Sequence, residues 1–260
     1  MKIFAPTCPL LQHTLTLEGF GAYRAGRALS EPLNIHLLPG TVLGVVGPNG
    51  AGKSSLLAAI AQAGVQHFGS IRYNGANLTR VSALKRSKLL GMLTQNTAAP
   101  PELTVAELVQ IGARASRQTD AAAATHEALA ALGIADLATR RCGTLSGGQL
   151  QLAQLARVLA QNTPIMLFDE PTSALDLLHQ KAIEQTMRRL GNEGKIVIAA
   201  LHDLNIALNA CTQILLLDKN GTNLIGSPLE VLHPDMVHTA YGVTTNIYTT
   251  ARGRKFITTE

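Results

Sequence analysis

The run Gly47-Pro48-Asn49-Gly50-Ala51-Gly52-Lys53-Ser54 follows the pattern GxxxxGK[ST]. Its glycines let the backbone curl so that successive N–H groups converge on a β-phosphate, and a helix starting at its end adds positive potential. Lys53 would reach the β and γ oxygens, and Ser54 would offer its hydroxyl to Mg²⁺. Ile165-Met166-Leu167-Phe168-Asp169-Glu170 ends four apolar residues in two carboxylates, at the carboxyl end of a buried strand where open α/β sheets bind ligands. Asp169 would hold Mg²⁺ directly or indirectly, while Glu170 would polarise the water that attacks the γ-phosphorus. Taken alone, the carboxylates also fit a strand that simply ends in a polar loop; the pairing with Lys53 selects the nucleotide reading. Leu145-Ser146-Gly147-Gly148-Gln149 places Ser146 and Gln149 at capping-box spacing, so a hydroxyl, glycine N–H groups and a helix N-terminus face any approaching anion. A chain with one Lys53-type loop has no phosphate for this second cradle unless a partner chain brings it. That mismatch points to a dimer.

These groups need a scaffold that brings them together. Thr41 to Val46 reads as a strand and Ser54 to Ala63 as a helix on either side of the glycine loop. Ile165 to Phe168 and Ile196 to Leu201 repeat the strand pattern, each followed by helix formers, Leu178 to Leu190 and Leu204 to Ala210, which makes βα units of a mostly parallel sheet. Ile214 to Asp218 and Asn223 to Gly226 read as a hairpin whose Asn220-Gly221 pair supplies positive φ angles. Ser227-Pro228-Leu229-Glu230 starts a further helix, with a capping serine, a proline at the first helical position and a glutamate three residues after the cap. Between about Asn96 and Asn162 strand-like runs vanish. Thr104-Val105-Ala106-Glu107 opens a helix with a capping box, the alanine-rich stretch Asp120 to Leu132 reads as a second helix, and Leu150 to Ala160 as a third. The expected organisation is a core at 12–95 and 163–242, an all-helical insert at 96–162 and a tail at 243–260. No internal repeat is found.

The 260 residues suffice for a large core, so small disulfide- or metal-stapled scaffolds are excluded. Cys8, Cys142 and Cys211 lie far apart without CxxC spacing, which suggests neither a disulfide framework nor a zinc site and fits a reducing cytosol. No apolar run approaches the roughly 18 residues of a membrane span. Lys2, Pro6, Pro9 and His13 make the N-terminus a short disordered lead-in rather than an export signal. The net charge of +5 is a moderate excess that decides no partner by itself.

The motifs, in their order, resemble those of the nucleotide-binding subunit of ABC (ATP-binding cassette) transporters, from about Gln12 to about Gly242. The parts are the glycine loop, Gln95, Leu145 to Gln149, Asp169-Glu170, Ser173-Ala174-Leu175-Asp176, and His202. The resemblance implies an α/β P-loop NTPase core with an N-terminal antiparallel β subdomain and an inserted helical subdomain carrying the signature. It implies ATP and Mg²⁺ as ligands, and two copies arranged head to tail with each ATP between the glycine loop of one and the signature of the other. Position by position, Tyr23 resembles the aromatic that stacks on adenine, with Phe20 the competing candidate. Gln95 looks like the glutamine that touches Mg²⁺ and the attacking water, and His202 like the histidine that contacts the γ-phosphate. Ser55 and Asp176 join the expected nucleotide contacts, as do Ser146, Gly147, Gly148 and Gln149. The family usually carries arginine after the signature in a Gln-Arg pair; here Gln151 is followed by Leu152, a change expected to bear on support of the helix more than on hydrolysis.

Three roles compete: an importer ATPase on membrane-spanning subunits, a soluble ATPase for iron–sulfur assembly, and a nucleic-acid-associated ATPase. The last would bring coiled-coil insertions or blocks of like charge, and neither is present, so no nucleic-acid partner is expected. Pro171 to Gln180, Leu201-His202-Asp203-Leu204-Asn205 and Gly226-Ser227-Pro228 are similar to the ATPases of importers for ferric siderophores, haem and vitamin B12, with ferric siderophores favoured. The implied partners are a second copy, two permease subunits and, indirectly, a substrate-binding protein. The implied place is the cytoplasmic face of the inner membrane, held peripherally.

Overall fold

The computed structural model describes residues 13–95, 98–116, 119–173, 175–251 and 253–260. The expectations for the first residues, including Cys8 and the boundary near Gln12, and those resting on Asn96, Ala174 and Arg252, lie outside them. Strands β1 (Leu15–Arg24), β2 (Arg27–Ala28) and β3 (Leu33–Leu37) come first, followed by β4 (Val42–Val46) and helix α1 (Lys53–Ala61). Then come β5 (His67–Tyr73), β6 (Ala76–Asn77), α2 (Ala83–Arg86) and β7 (Leu90–Leu93). The insert holds α3 (Val105–Ala115), α4 (Ala121–Ala131) and α5 (Gly147–Gln161). The chain continues with β8 (Ile165–Asp169), α6 (Leu177–Asn192), β9 (Ile196–Ala200), α7 (Leu204–Ala210), β10 (Gln213–Leu217), β11 (Asn223–Gly226), α8 (Pro228–Val231) and α9 (Pro234–Tyr241). It closes with β12 (Thr245–Thr249) and β13 (Lys255–Thr259).

One sheet runs β11-β10-β4-β9-β8-β7, parallel except for the antiparallel edge strand β11. Its inner strands β4, β8 and β9 are buried on both faces, which is why they read as unbroken apolar runs. Alternation decides which core each residue joins: Leu43, Val45, Ile165, Leu167, Ile196 and Ile198 pack with α1, while Val42, Val46, Met166, Phe168, Val197 and Ala199 pack with the helices on the other side. The second sheet is antiparallel, with β1 pairing β2, β3 and β5, and it covers α1 from the side away from the parallel strands. Both ends of the glycine loop are thereby fixed, β4 before it and α1 after it.

In the insert, Thr104 accepts from the Glu107 N–H while the Glu107 carboxylate returns a bond to the Thr104 N–H, as its spacing implied. Asp120 caps α4. Helix α5 starts three residues earlier than the sequence suggested, because Gly147 and Gly148 are already helical under the Ser146 cap. Leu152, the departure from the family pattern, is 1 % exposed in the core shared by the insert and the parallel sheet. A guanidinium there would be buried in apolar surroundings, so Leu152→Arg is expected to lower unfolding free energy by about 3 kcal/mol or more. Chemical denaturation checks this; an unchanged midpoint would mean that the site opens to admit the charge.

Two expectations are corrected. Only Gly221 of the Asn220-Gly221 pair has positive φ (88°), since Asp218 Oδ1 accepts from the Asn220 and Thr222 N–H groups and shapes a longer turn between β10 and β11. The residues after Gly242, expected as a tail, form a two-stranded sheet: β12 and β13 pair with each other, and Ile257 is buried against the main core.

Candidate active site

Gly47 follows β4 with φ 149°, and a Cβ there would lie 2.1 Å from the Leu217 carbonyl oxygen, so no larger residue fits at the start of the turn. Gly50 and Gly52 have φ of 87° and 95°, the left-handed region that glycine enters without steric cost. The turn delivers Lys53 into the first turn of α1, where it is 5 % exposed and donates through Nζ to the carbonyls of Gly47 (2.6 Å) and Pro48 (3.1 Å). Burial pulls the Lys53 ammonium below its ordinary value, opposed by the charges of Glu170 and Asp169. The ammonium is held by neutral carbonyls, so phosphate oxygens would replace them with charged acceptors.

Strand β8 ends at the same place. Ser54 Oγ donates to Asp169 Oδ1 at 2.8 Å, and burial raises the Asp169 carboxyl above its ordinary value, with the Ser54 bond opposing. Glu170 sits at φ 52°, left-handed for a side chain that rarely adopts it, and its N–H donates to the Ala200 carbonyl. This sharp exit from the strand turns the Glu170 carboxylate toward two residues distant in sequence. Gln95 Nε2 donates to Glu170 Oε2 at 3.1 Å, and His202 Nε2 lies 2.6 Å from Oε1. A water taking a place beside this carboxylate would meet a proton acceptor already oriented by two neighbours.

A cavity of ≈ 320 Å³ is lined by Asn49, Gly50, Gly52, Lys53, Ser54, Ser55, Gln95, Glu170 and His202, together with Arg24. Asp169 borders it through Ser54, while Ala51 is buried. The oxygens of Ser54, Asp169 and Gln95 are the hard donors that Mg²⁺ accepts, and Mg²⁺ needs only one or two carboxylates beside phosphate and water. The residues present therefore fit that ion.

Other residues stand apart from this cavity. Tyr23 packs edge-on to Phe68, ring centroids 5.1 Å apart, and lines a neighbouring surface recess with Gln62 and Gln66. Phe20 is fully buried and stacks on His67, which removes it as a stacking platform for a base. Ser146 caps α5, and Gly147 has open space where a Cβ would stand, so nothing in its own chain requires glycine there. Asp176 caps α6 and pairs with His179 Nδ1 at 2.7 Å, bonds that hold its carboxyl below the ordinary range. Gln151 donates to the Glu170 carbonyl and to Ser173 Oγ, linking the signature helix to the carboxylate turn.

Two residues with no expected role also reach the site. Arg24, the last residue of β1 and the neighbour of Tyr23, lines the cavity; its signal in the sequence is a cation next to an expected nucleotide contact. Arg24→Ala is expected to weaken ATP binding roughly fivefold, with the loss shrinking as salt rises. Fluorescence titration at two ionic strengths would test it, and an unchanged affinity at low salt would remove Arg24 from the site. Tyr241, the last residue of α9, lies with its hydroxyl against the Gly47 backbone, and burial pushes its phenol up to about 12. The contact falls short of a full hydrogen bond.

The family model described as "ABC transporter" matches residues 30–173. The chain belongs to the ABC transporter family. It is an ABC ATPase, and its cassette aligns over most of its length with named members. It is 38% identical over 237 residues to the Hemin import ATP-binding protein HmuV of Pseudomonas fluorescens, covering 88% of this cassette and 92% of that protein. It is 35% identical to the Iron(3+)-hydroxamate import ATP-binding protein FhuC of Bacillus subtilis, covering 94% and 93%. Among solved structures, an inward-facing transporter described as metal-chelate type superposes with a TM-score of 0.79 at 25% identity over 96% of this cassette and 97% of that chain. The dimeric bacterial cassette MJ0796 gives 0.72 at 26% identity over 82% and 98%. Among the described residues of this cassette, no helix is long and apolar enough to cross a membrane.

Proposed function

We propose that the chain is the ATP-hydrolysing subunit of an ABC importer for an iron chelate such as a ferric siderophore, working as a head-to-tail pair on two permease subunits. The observation that carries the reading is the convergence of Gln95 and His202 on Glu170 at the mouth of the glycine loop, while Ser146 and Gly147 stand exposed and away from it. One half of a phosphate enclosure is assembled; the other half faces outward. Lys53 and the loop amides hold the triphosphate, Ser146 and Gly148 of a second copy cover its γ end, and Glu170 takes the proton of the attacking water while His202 and Gln95 hold its carboxylate. Ser54, Asp169 and Gln95 would hold Mg²⁺, which when bound would supply charge neutralisation to the phosphates. Tyr23 flanks the base, and Asp176 joins the nucleotide contacts.

Closure of the pair would rotate the helical insert, and the Gln95 segment, continuous with that insert, would carry the movement to permeases at the cytoplasmic face of the membrane. The relatives named for hemin and for iron(3+)-hydroxamate import support an iron-chelate cargo. The slightly higher identity to the hemin protein favours haem as a second reading, with vitamin B12 and soluble iron–sulfur assembly the remaining alternatives. Cargo would be chosen by the permease and a substrate-binding protein. Co-purification of the chain with its permease, followed by ATPase assay with and without it, tests the reading: activity raised by the permease supports an importer. Full activity alone, with no permease retained, would favour the soluble alternative.

A further inference from the structure

The C-terminal hairpin has a free edge, and α7 pairs it with side chains. Asn205 accepts from the Ile257 N–H through Oδ1 at 2.7 Å and donates through Nδ2 to the Ile257 carbonyl at 3.1 Å. One amide thus takes both backbone groups that a neighbouring strand would take. Asn209, one turn on, donates to the Lys255 carbonyl at 2.8 Å and to the Asn205 carbonyl at 2.8 Å. The two asparagines share a helix face at i and i+4, and Lys255 and Ile257 share a strand edge at i and i+2, so the spacings match. These bonds finish an edge that would otherwise present unpaired backbone groups.

The same hairpin is tied to α6. Glu184 is 3 % exposed, and Arg254 reaches its Oε2 at 3.0 Å, while Lys181 and Arg188 approach Oε1 at 3.0 and 3.7 Å. Arg188 also donates to the Asn209 carbonyl. Helix α6, helix α7 and the hairpin therefore form a closed triangle of bonds.

Helix α7 has seven residues, too few to hold its own place without tertiary contacts. His202 lies on the short link between the end of β9 and this helix, two residues before its first turn. Leu201 is anchored by its N–H to the Val45 carbonyl, and Asp203 caps α7 at the Asn205 and Ile206 N–H groups. On its helix side the link is fixed only as well as α7 is. We infer that the C-terminal hairpin is a positioning element for His202, acting through Asn205: pairing of Asn205 with Ile257 sets α7, and α7 sets the ring that faces Glu170. The inference rests on His202 serving turnover, as proposed above.

The experiment compares ATP turnover and ATP affinity in full-length chains carrying Asn205→Leu, Ile257→Pro, His202→Ala and the double variant Asn205→Leu/His202→Ala. Asn205→Leu removes both bonds, and Ile257→Pro removes the N–H from the partner side. Each is expected to lower kcat about tenfold while the affinity for Mg–ATP stays within about twofold, since misplacement of one group penalises the reaction more than binding. In the His202→Ala background, Asn205→Leu should lower kcat no further than about twofold, because the group it positions is gone. Equal losses in both backgrounds, or unchanged kcat in Asn205→Leu, would overturn the inference. Should Asn205→Leu fail to fold, Asn209→Leu, which breaks the pairing at Lys255, takes its place in the same comparison. An active His202→Ala would instead remove the proposed role of His202 and leave the pairing of α7 without a catalytic consequence.

Discussion

Glu170→Gln is expected to bind ATP with wild-type affinity, to turn it over at least about a hundredfold more slowly, and to accumulate as a nucleotide-bound pair. The amide keeps the size of the side chain and an acceptor oxygen for Gln95 or His202, which hold the carboxylate at 3.1 and 2.6 Å. What it loses is the capacity to take a proton from water. Lys53, Ser54 and Asp169, the groups that contact phosphate and ion in the proposed mechanism, are untouched. Phosphate release gives the rate, and light scattering with and without ATP gives the mass. Unchanged turnover would remove Glu170 from the role and leave His202 as the next candidate.

Mixing two inactive variants is expected to restore turnover. A Lys53→Ala chain cannot hold its own triphosphate, and a Ser146→Arg chain cannot cover its partner's. In a mixed pair, the intact glycine loop of one faces the intact signature of the other, giving one working site of two. With random pairing at equal amounts half the pairs are mixed, so about a quarter of wild-type activity should return. Recovery should peak at equal ratio and vanish when either chain dominates. No recovery at any ratio, with mixed pairs shown to form, would sink the split enclosure. Ser146→Arg also removes the cap that Ser146 gives α5 at the Gln149 N–H, so Gly147→Arg, where a Cβ meets open space, serves as a second signature-defective chain that leaves that cap in place.

Much of this site was readable because its parts are local. The glycine loop, the β8 carboxylates and the capping boxes at Thr104, Ser146 and Ser227 each depend on spacings of a few residues, and such spacings act through backbone geometry wherever they occur. The βα units were legible for a related reason: strands buried on both faces leave long apolar runs. The family resemblance alone put Gln95 and His202 at the site, as contacts of Mg²⁺, the attacking water and the γ-phosphate; their convergence on Glu170, across 75 and 32 residues of sequence, was not expected. Arg24 and Tyr241 escaped because their approach depends on how the end of β1 and α9 pack, which no local pattern encodes. The hairpin escaped because Thr245 to Thr249 and Lys255 to Thr259 are mostly polar, and their outer edge is satisfied by asparagine side chains instead of a third strand. At Asn220-Gly221, the nearby Asp218 carboxylate outweighed the usual dipeptide preference.

The left-handed backbone at Glu170 has one more implication, for anyone screening natural or engineered variants. A conformation that glycine or asparagine tolerates better than glutamate carries a local penalty of order 1 kcal/mol, retained because the reaction needs that carboxylate where it is. Heat resistance and competence therefore pull in opposite directions at this residue. A collection ranked by melting temperature alone would place dead proteins near the top.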